Sequence, residues 1–93
     1  MSAYPKRITL TITQEDIEDG ERVNALYCPF ALAMIRETMS VCVVATPRYI
    51  ALFDIKNEPE GYYKLTKKAT AWMDRFDLGK RVKPDKFQLI RSD

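Results

Sequence analysis

Asn24 to Met39, NALYCPFALAMIRETM, is the most apolar stretch of this chain and the one that decides its fold. Pro29 suits the first position of a helix, because the N–H that proline lacks would have no partner there. Phe30, Met34 and Ile35 then recur at the spacing of one helix face. The stretch therefore predicts a central helix that packs in the core.

The segment before this helix predicts a strand followed by a short helical turn. Residues 6–12 alternate between apolar and polar side chains, which is typical of a strand with one buried face. Thr13 is a suitable N-cap for a turn over Gln14–Asp19, whose acids complement the positive end of the helix dipole. Gly20 is suited to end that turn in a left-handed conformation.

The segment after the central helix predicts a β-hairpin. Residues 41–46 are rich in valine, and the turn Thr46-Pro47-Arg48 separates them from a second apolar run over residues 49–56. Asn57–Gly61, with its proline, glycine and charges, is the strongest loop signal in the chain.

The last third of the chain predicts a second long helix and a final strand. Thr66 is placed to cap this helix, apolar residues recur at helical spacing behind it, and Gly79 is placed to stop it. Residues 82–84 form a connector, and Phe87–Ile90 reads as a short strand.

The predicted order is therefore β-α-β-β-α-β in a single α+β domain over residues 1–93. This is the order of the ferredoxin-like fold, with two main helices on one face of an antiparallel sheet. A variant with the same order but different strand pairing remains open. The side chains expected to meet in the core are Phe30, Met34, Trp72 and Phe76 from the helices, and Ile8, Leu10 and Ile12 from the first strand.

Composition excludes several classes of protein. Apolar residues make up 46% of the chain and charged residues 30%, with three glycines and five prolines, which is ordinary for a folded domain. No run approaches the roughly 20 apolar residues of a membrane span. The N-terminal sequence MSAYPKRITL has no signal-peptide core. We therefore expect a cytoplasmic protein without a membrane partner.

The residues needed for common catalytic and metal sites are missing or badly spaced. The chain has no histidine, its glycines stand alone, and its acid pairs (Glu15/Asp16 and Glu18/Asp19) fall on what reads as an exposed turn. Cys28 and Cys42 do not form a metal-binding pattern. We expect both cysteines to be reduced and buried, although Cys28, just before a helix, would be an activated thiolate if it were exposed. The sequence predicts no enzyme, no cofactor and no metal site.

Charge is distributed unevenly along the chain. Five acids and no base lie between Glu15 and Glu21, namely Glu15, Asp16, Glu18, Asp19 and Glu21. Nine bases against three acids lie between Lys64 and Arg91. Such a basic segment can contact phosphates without reading sequence, or the surface of a charged protein. The candidate partner-binding residues are Lys80, Arg81, Lys83, Lys86, Lys64, Lys67 and Lys68.

A second hypothesis assigns nucleic-acid binding to the hairpin. Tyr49 and Phe53 fall on the same side of a predicted strand, behind Arg48. Aromatic side chains on the open face of a sheet can stack unpaired bases. The alternative reading is that these two rings pack in the core or against the hairpin.

Two stretches resemble small uncharacterised proteins encoded by phages and prophages. One is the strand and acidic turn followed by the helix start Cys28-Pro29-Phe30-Ala31-Leu32-Ala33, and the other is the segment Phe76–Pro84 with the strand after it. The resemblance covers about half of the chain and its motifs are structural ones. It carries no catalytic activity with it. It is compatible with inhibitors of host machinery, of which anti-CRISPR proteins are the best-known class.

These observations together predict a non-enzymatic, phage-derived binding protein that inhibits a host protein or an RNA-guided nucleoprotein complex by steric and electrostatic blocking. Contact with a nucleic-acid backbone is part of that expectation. The alternative is a free RNA- or DNA-binding domain, and the oligomeric state stays open.

Overall fold

A computed structural model describes residues 4–40 and 42–92. The first segment contains β1 (Arg7–Ile12), α1 (Gln14–Asp19) and α2 (Pro29–Thr38). The second contains β2 (Cys42–Ala45), β3 (Tyr49–Phe53), β4 (Pro59–Lys64), α3 (Lys67–Asp77) and β5 (Asp85–Ser92). Val41, which the sequence places at the start of a strand, lies outside the described residues.

The five strands form one antiparallel sheet in the order β1-β5-β4-β3-β2. β2, β3 and β4 are neighbours both in the chain and in the sheet, and β5 then pairs with β1, from Arg7 opposite Ile90 to Ile12 opposite Asp85. The α+β class and the antiparallel sheet agree with the sequence prediction.

The predicted β-α-β-β-α-β order, however, omits one strand of this sheet. Residues 57–61 were expected to be a loop, but β4 begins at Pro59 and pairs with β3. The turn is tighter than the sequence suggests, because the Asp54 N–H donates to Glu58 O at 2.9 Å and Asn57 takes a left-handed φ of 64°. With three consecutive antiparallel strands and β1 paired antiparallel to β5, the sheet differs from a split βαβ arrangement.

The core lies between α2, α3 and one face of the sheet, as predicted. Phe30 of α2 is in edge contact with Trp72 of α3, with ring centroids 5.5 Å apart, and packs on Phe87 of β5 at 5.1 Å. Trp72 also stacks on Phe76 at 5.9 Å. All seven side chains predicted for the core are buried.

The predicted helix boundaries follow from local capping. Thr13 and Asp16 form a capping box at α1, Pro29 occupies the first turn of α2, and the Thr66 hydroxyl accepts the Ala69 N–H at 3.2 Å. Gly20 is an exception. It is extended rather than left-handed (φ −72°), and a Cβ there would collide with Pro29 and the Asp16 carbonyl.

Asp16 corrects the expectation that the acidic turn is exposed. Its carboxylate is 4% exposed and accepts two hydrogen bonds from Arg36 of α2, at 2.7 and 2.9 Å. Arg36 also donates to Thr11 O of β1 at 2.8 Å. The pair therefore ties α1 and α2 to the edge strand of the sheet.

Candidate basic groove

The segment between α3 and β5 is held in an open conformation that displays its basic side chains. α3 ends where Gly79 takes a left-handed φ of 78°, and the Lys80 N–H still donates to Arg75 O at 2.9 Å. Beyond this point the indole N–H of Trp72 donates to Lys83 O at 2.9 Å. The backbone of this segment is thus anchored to α3, and the cationic ends of its side chains remain exposed.

This segment forms one wall of an open groove of about 590 Å³. α1 supplies Gln14 and Ile17 on the opposite side, and Phe76 and Val82 contribute apolar surface between them. The basic side chains that line the groove are Arg22, Lys80, Arg81 and Lys83. Four cations around one concave surface give it a positive charge that suits an anionic group or surface.

Arg22 was missed by the sequence analysis. In the sequence it directly follows the acidic stretch that ends at Glu21. Only the fold brings it against the segment that follows α3. A Cβ at position 79 would clash with the Arg22 guanidinium, and the backbone there is left-handed. Gly79 therefore ends α3 next to Arg22, and its left-handed backbone favours glycine there. No sequence pattern pointed to this pairing.

Two exposed apolar side chains are neighbours of groove residues in the chain. Val23, next to Arg22, is 80% exposed, and Leu78, next to Gly79, is 71% exposed. Val23 also takes a left-handed φ of 52°, which is unfavourable for a β-branched residue. Its N–H donates to an Asp77 carboxylate oxygen at 3.0 Å, and this bond links the loop before α2 to the end of α3.

The structure does not bring all seven predicted cations to this groove. Lys80, Arg81 and Lys83 line it. Lys64 and Lys86 lie on strands at the other face of the sheet, and Lys67 is exposed in the first turn of α3.

Lys68 is partly engaged within the protein. Its ammonium group lies 3.3 Å from an Asp85 carboxylate oxygen and 5.2 Å from the centroid of the Phe87 ring. The pKa of Asp85 is lowered, first by the hydrogen bond from the Lys86 N–H and then by Lys68, while desolvation opposes the shift. Lys68 therefore has an internal role at the start of α3.

The residues of the alternative hypothesis lie elsewhere. Tyr49 and Phe53 both occupy β3 positions that face away from the helices, and Tyr49 is exposed. Arg48 is exposed in the preceding turn, where its carbonyl accepts the Leu65 N–H at 2.9 Å. The intervening Ile50 and Leu52 are the buried ones, so neither ring belongs to the core between sheet and helices.

The two cysteines are free thiols in different environments. Cys28 is 1% exposed at the start of α2, and burial raises the pKa of its thiol despite the nearby helix N–H groups. This confirms the expectation of a buried Cys28. Cys42 is only half-buried, on edge strand β2.

Two further properties of the described residues bear on the kind of site present. Residues 4–40 and 42–92 contain no group of three or more acidic, cysteine or histidine side chains arranged to hold a metal ion. Within the same residues, none of the helices has the length and apolar character needed to cross a membrane.

Comparison with known proteins gives no relative from which a role can be transferred. The chain matches no protein-family model, no curated protein and no solved structure. Its functional interpretation therefore depends on the groove and on the remaining surface of the molecule.

Proposed function

We propose that this chain is a non-enzymatic, phage-derived binding protein that inhibits a host protein or nucleoprotein complex by occupying an anionic surface. The observation that carries the proposal is the basic groove, in which Arg22 joins Lys80, Arg81 and Lys83 around one concave surface. The resemblance of the sequence to small phage proteins supports the choice of an inhibitor. Its mechanism is steric and electrostatic blocking.

Exposed apolar residues next to the groove in the chain support a macromolecular partner. Val23 follows the groove residue Arg22, and Leu78 precedes the groove residue Gly79. Arginine is enriched at protein interfaces, whose buried centre is more apolar than their rim, whereas charged side chains at the rim mainly steer association. A partner with an apolar patch beside carboxylates or phosphates fits this combination.

The rigid setting of the groove supports blocking rather than folding on binding. The loop that carries Arg22 is linked to the end of α3 by the Val23 N–H bond to Asp77, and the basic segment is anchored to α3 by Trp72. A preorganised surface loses little conformational entropy when it binds.

The test is an affinity pull-down of the tagged protein from bacterial host lysate, with and without nuclease. The variant Lys80→Glu/Lys83→Glu reverses two exposed charges of the groove. The control Lys56→Glu/Lys67→Glu makes the same change in net charge at exposed positions outside it. We expect the wild type and the control to retain one stoichiometric complex after nuclease treatment, and the groove variant to lose it.

Retention of the same complex by a folded groove variant would contradict the proposal. So would recovery of only mixed, nuclease-sensitive nucleoproteins, which would favour a free nucleic-acid-binding domain. Circular dichroism and urea unfolding of each variant establish that the fold is intact.

A further inference from the structure

The face of the sheet opposite the helices is uncovered within the described residues. α2 and α3 pack on the face that carries Leu10, Ile50 and Leu89, all fully buried. Strand residues that alternate with these point the other way, and most of them are exposed. This open face is made by five strands and is separate from the basic groove.

Two tyrosine rings are in edge contact near the middle of the open face. Tyr49 of β3 is 44% exposed and Tyr62 of β4 is 41% exposed, with ring centroids 6.2 Å apart at an angle of 63°. Between them Ala51, directly opposite Tyr62 in the register, is almost fully buried. The next residue, Tyr63, is the buried one, so the core does not require Tyr62 to be aromatic.

Cations continue the same row across the sheet. Tyr49 lies opposite Lys64, Lys64 opposite Ile90, and Ile90 opposite Arg7. At the spacing of neighbouring strands this row is about 14 Å long. Lys86 adds another cation to this face, opposite Thr11 of β1.

Carboxylates are placed away from this row. No carboxylate occupies an outward position of β1, β3 or β5, or a described outward position of β2. Glu60, in β4, interacts with the Tyr4 hydroxyl, and Asp54 is engaged by the N–H groups of Lys56 and Glu58 in the turn after β3. The face therefore combines exposed rings with positive charge.

We propose that the open face binds single-stranded nucleic acid, with bases stacked on Tyr49 and Tyr62 and phosphates contacted by Lys64 and Arg7. Every base has a flat π-surface, so stacking of this kind tolerates any sequence, and the cations hold the backbone. A duplex is excluded because its bases are already stacked on each other. The site uses residues different from those of the groove and does not depend on the function proposed for it.

The test is fluorescence anisotropy with labelled oligo-dT and oligo-U of about 10 nucleotides, and with a duplex of the same length. Tyr49→Ala/Tyr62→Ala is the test variant. Tyr27→Ala is the matched control, because Tyr27 is also exposed but lies in the loop before α2. We expect the single strands to bind, and the double variant to weaken binding on the order of 100-fold, which is about 10-fold for each ring. Lys64→Ala should reduce the slope of log affinity against log salt by about 1.

Several results would overturn the assignment. Equal affinity for the duplex and the single strands would exclude stacking. If neither oligo-dT nor oligo-U binds at low salt, the site is excluded. Binding that survives the tyrosine variant but is lost in Lys80→Glu/Lys83→Glu would move the ligand to the groove. Loss of a protein partner in the tyrosine variant, without an effect on oligonucleotides, would make the face a protein-docking surface. A preference for oligo-U or oligo-dT identifies RNA or DNA as the ligand and supports the proposal in either case.

Discussion

Asp16 and Arg36 show how much one pair of residues can do in this fold. Asp16 caps α1, where its carboxylate accepts the Thr13 N–H at 2.9 Å, and it also accepts both hydrogen bonds from Arg36. Burial alone would raise the pKa of Asp16, but the hydrogen bonds from Arg36 and Thr13 outweigh it and the pKa is lowered. The folded state therefore favours the ionised carboxylate.

Replacing Asp16 with Asn should destabilise the protein by about 1–3 kcal/mol at neutral pH, since it leaves the half-buried Arg36 without its counter-charge. The pKa of Asp16 is lower in the folded state than in the unfolded state. Its contribution to stability is therefore present above the unfolded pKa and is lost as the pH falls from about 5 through the folded pKa. Urea unfolding at several pH values measures both effects.

Glu15→Gln is the control for this prediction, because Glu15 is exposed on the same helix. The wild type should lose more stability than Asp16→Asn between pH 6 and pH 3, taken as roughly the window of carboxylate titration. Equal acid sensitivity of the two proteins would show that the Asp16 pair does not contribute as described.

At the scale of elements, α3 organises both the core and the groove. One side of the helix buries Trp72 and Phe76, and the indole N–H of Trp72 reaches Lys83 O. Arg75, on the exposed side, donates to Arg81 O at 3.2 Å. The same helix thus fixes the basic segment that follows it, and packing in the core is coupled to the shape of the groove.

The variant Trp72→Phe keeps an aromatic ring in the core but removes the hydrogen bond to Lys83 O. We expect a loss of about 1–2 kcal/mol in the free energy of unfolding. We also expect faster amide hydrogen exchange in residues 80–83, because their anchor to α3 is lost. Hydrogen exchange followed by mass spectrometry measures this local effect.

Phe76→Leu serves as the comparison, since it disturbs the same aromatic stack without removing a hydrogen bond. For each variant, the rise in the exchange rate of residues 80–83 is compared with its loss of unfolding free energy. If this ratio is the same for both variants, Trp72 does not anchor the segment.

At the scale of the whole molecule, β5 joins the two ends of the chain. It pairs with β1 along residues 85–90 and with β4 at its last three positions. It also adds Phe87 and Leu89 to the core. Among the described strands, β5 is the only partner of β1, so the sheet is complete only when the end of the chain has folded against its beginning.

A chain truncated after Pro84 should therefore lose cooperative unfolding. Each large core side chain it lacks is worth about 3–5 kcal/mol, against a total stability of about 5–15 kcal/mol. Truncation after Ile90 is the milder control, because it retains the pairing with β1 and both core residues. Circular dichroism during urea unfolding checks the prediction, and a cooperative transition in the shorter chain would contradict it.

The sequence predicted the elements whose signals are local. The capping residues Thr13 and Thr66, the proline at the start of α2 and the glycine after α3 each set a boundary through their own backbone chemistry. The alternation in β1 and the helical spacing of α2 and α3 likewise predicted which side chains are buried, because burial follows the period of each element. The basic residues of the segment after α3 were also identified from the sequence.

Tertiary structure decided what depends on contacts between distant residues. β4 contains a proline and a glycine, so its local signals predicted a loop. It is a strand because β3 and β5 pair with it. Arg22 joins the groove only because the loop before α2 folds against the end of α3. Tyr62 reaches Tyr49 only through the pairing of β3 with β4. Local chemistry fixes the elements of this protein other than β4, but hydrogen-bond pairing between strands and packing between loops assemble its two candidate binding surfaces.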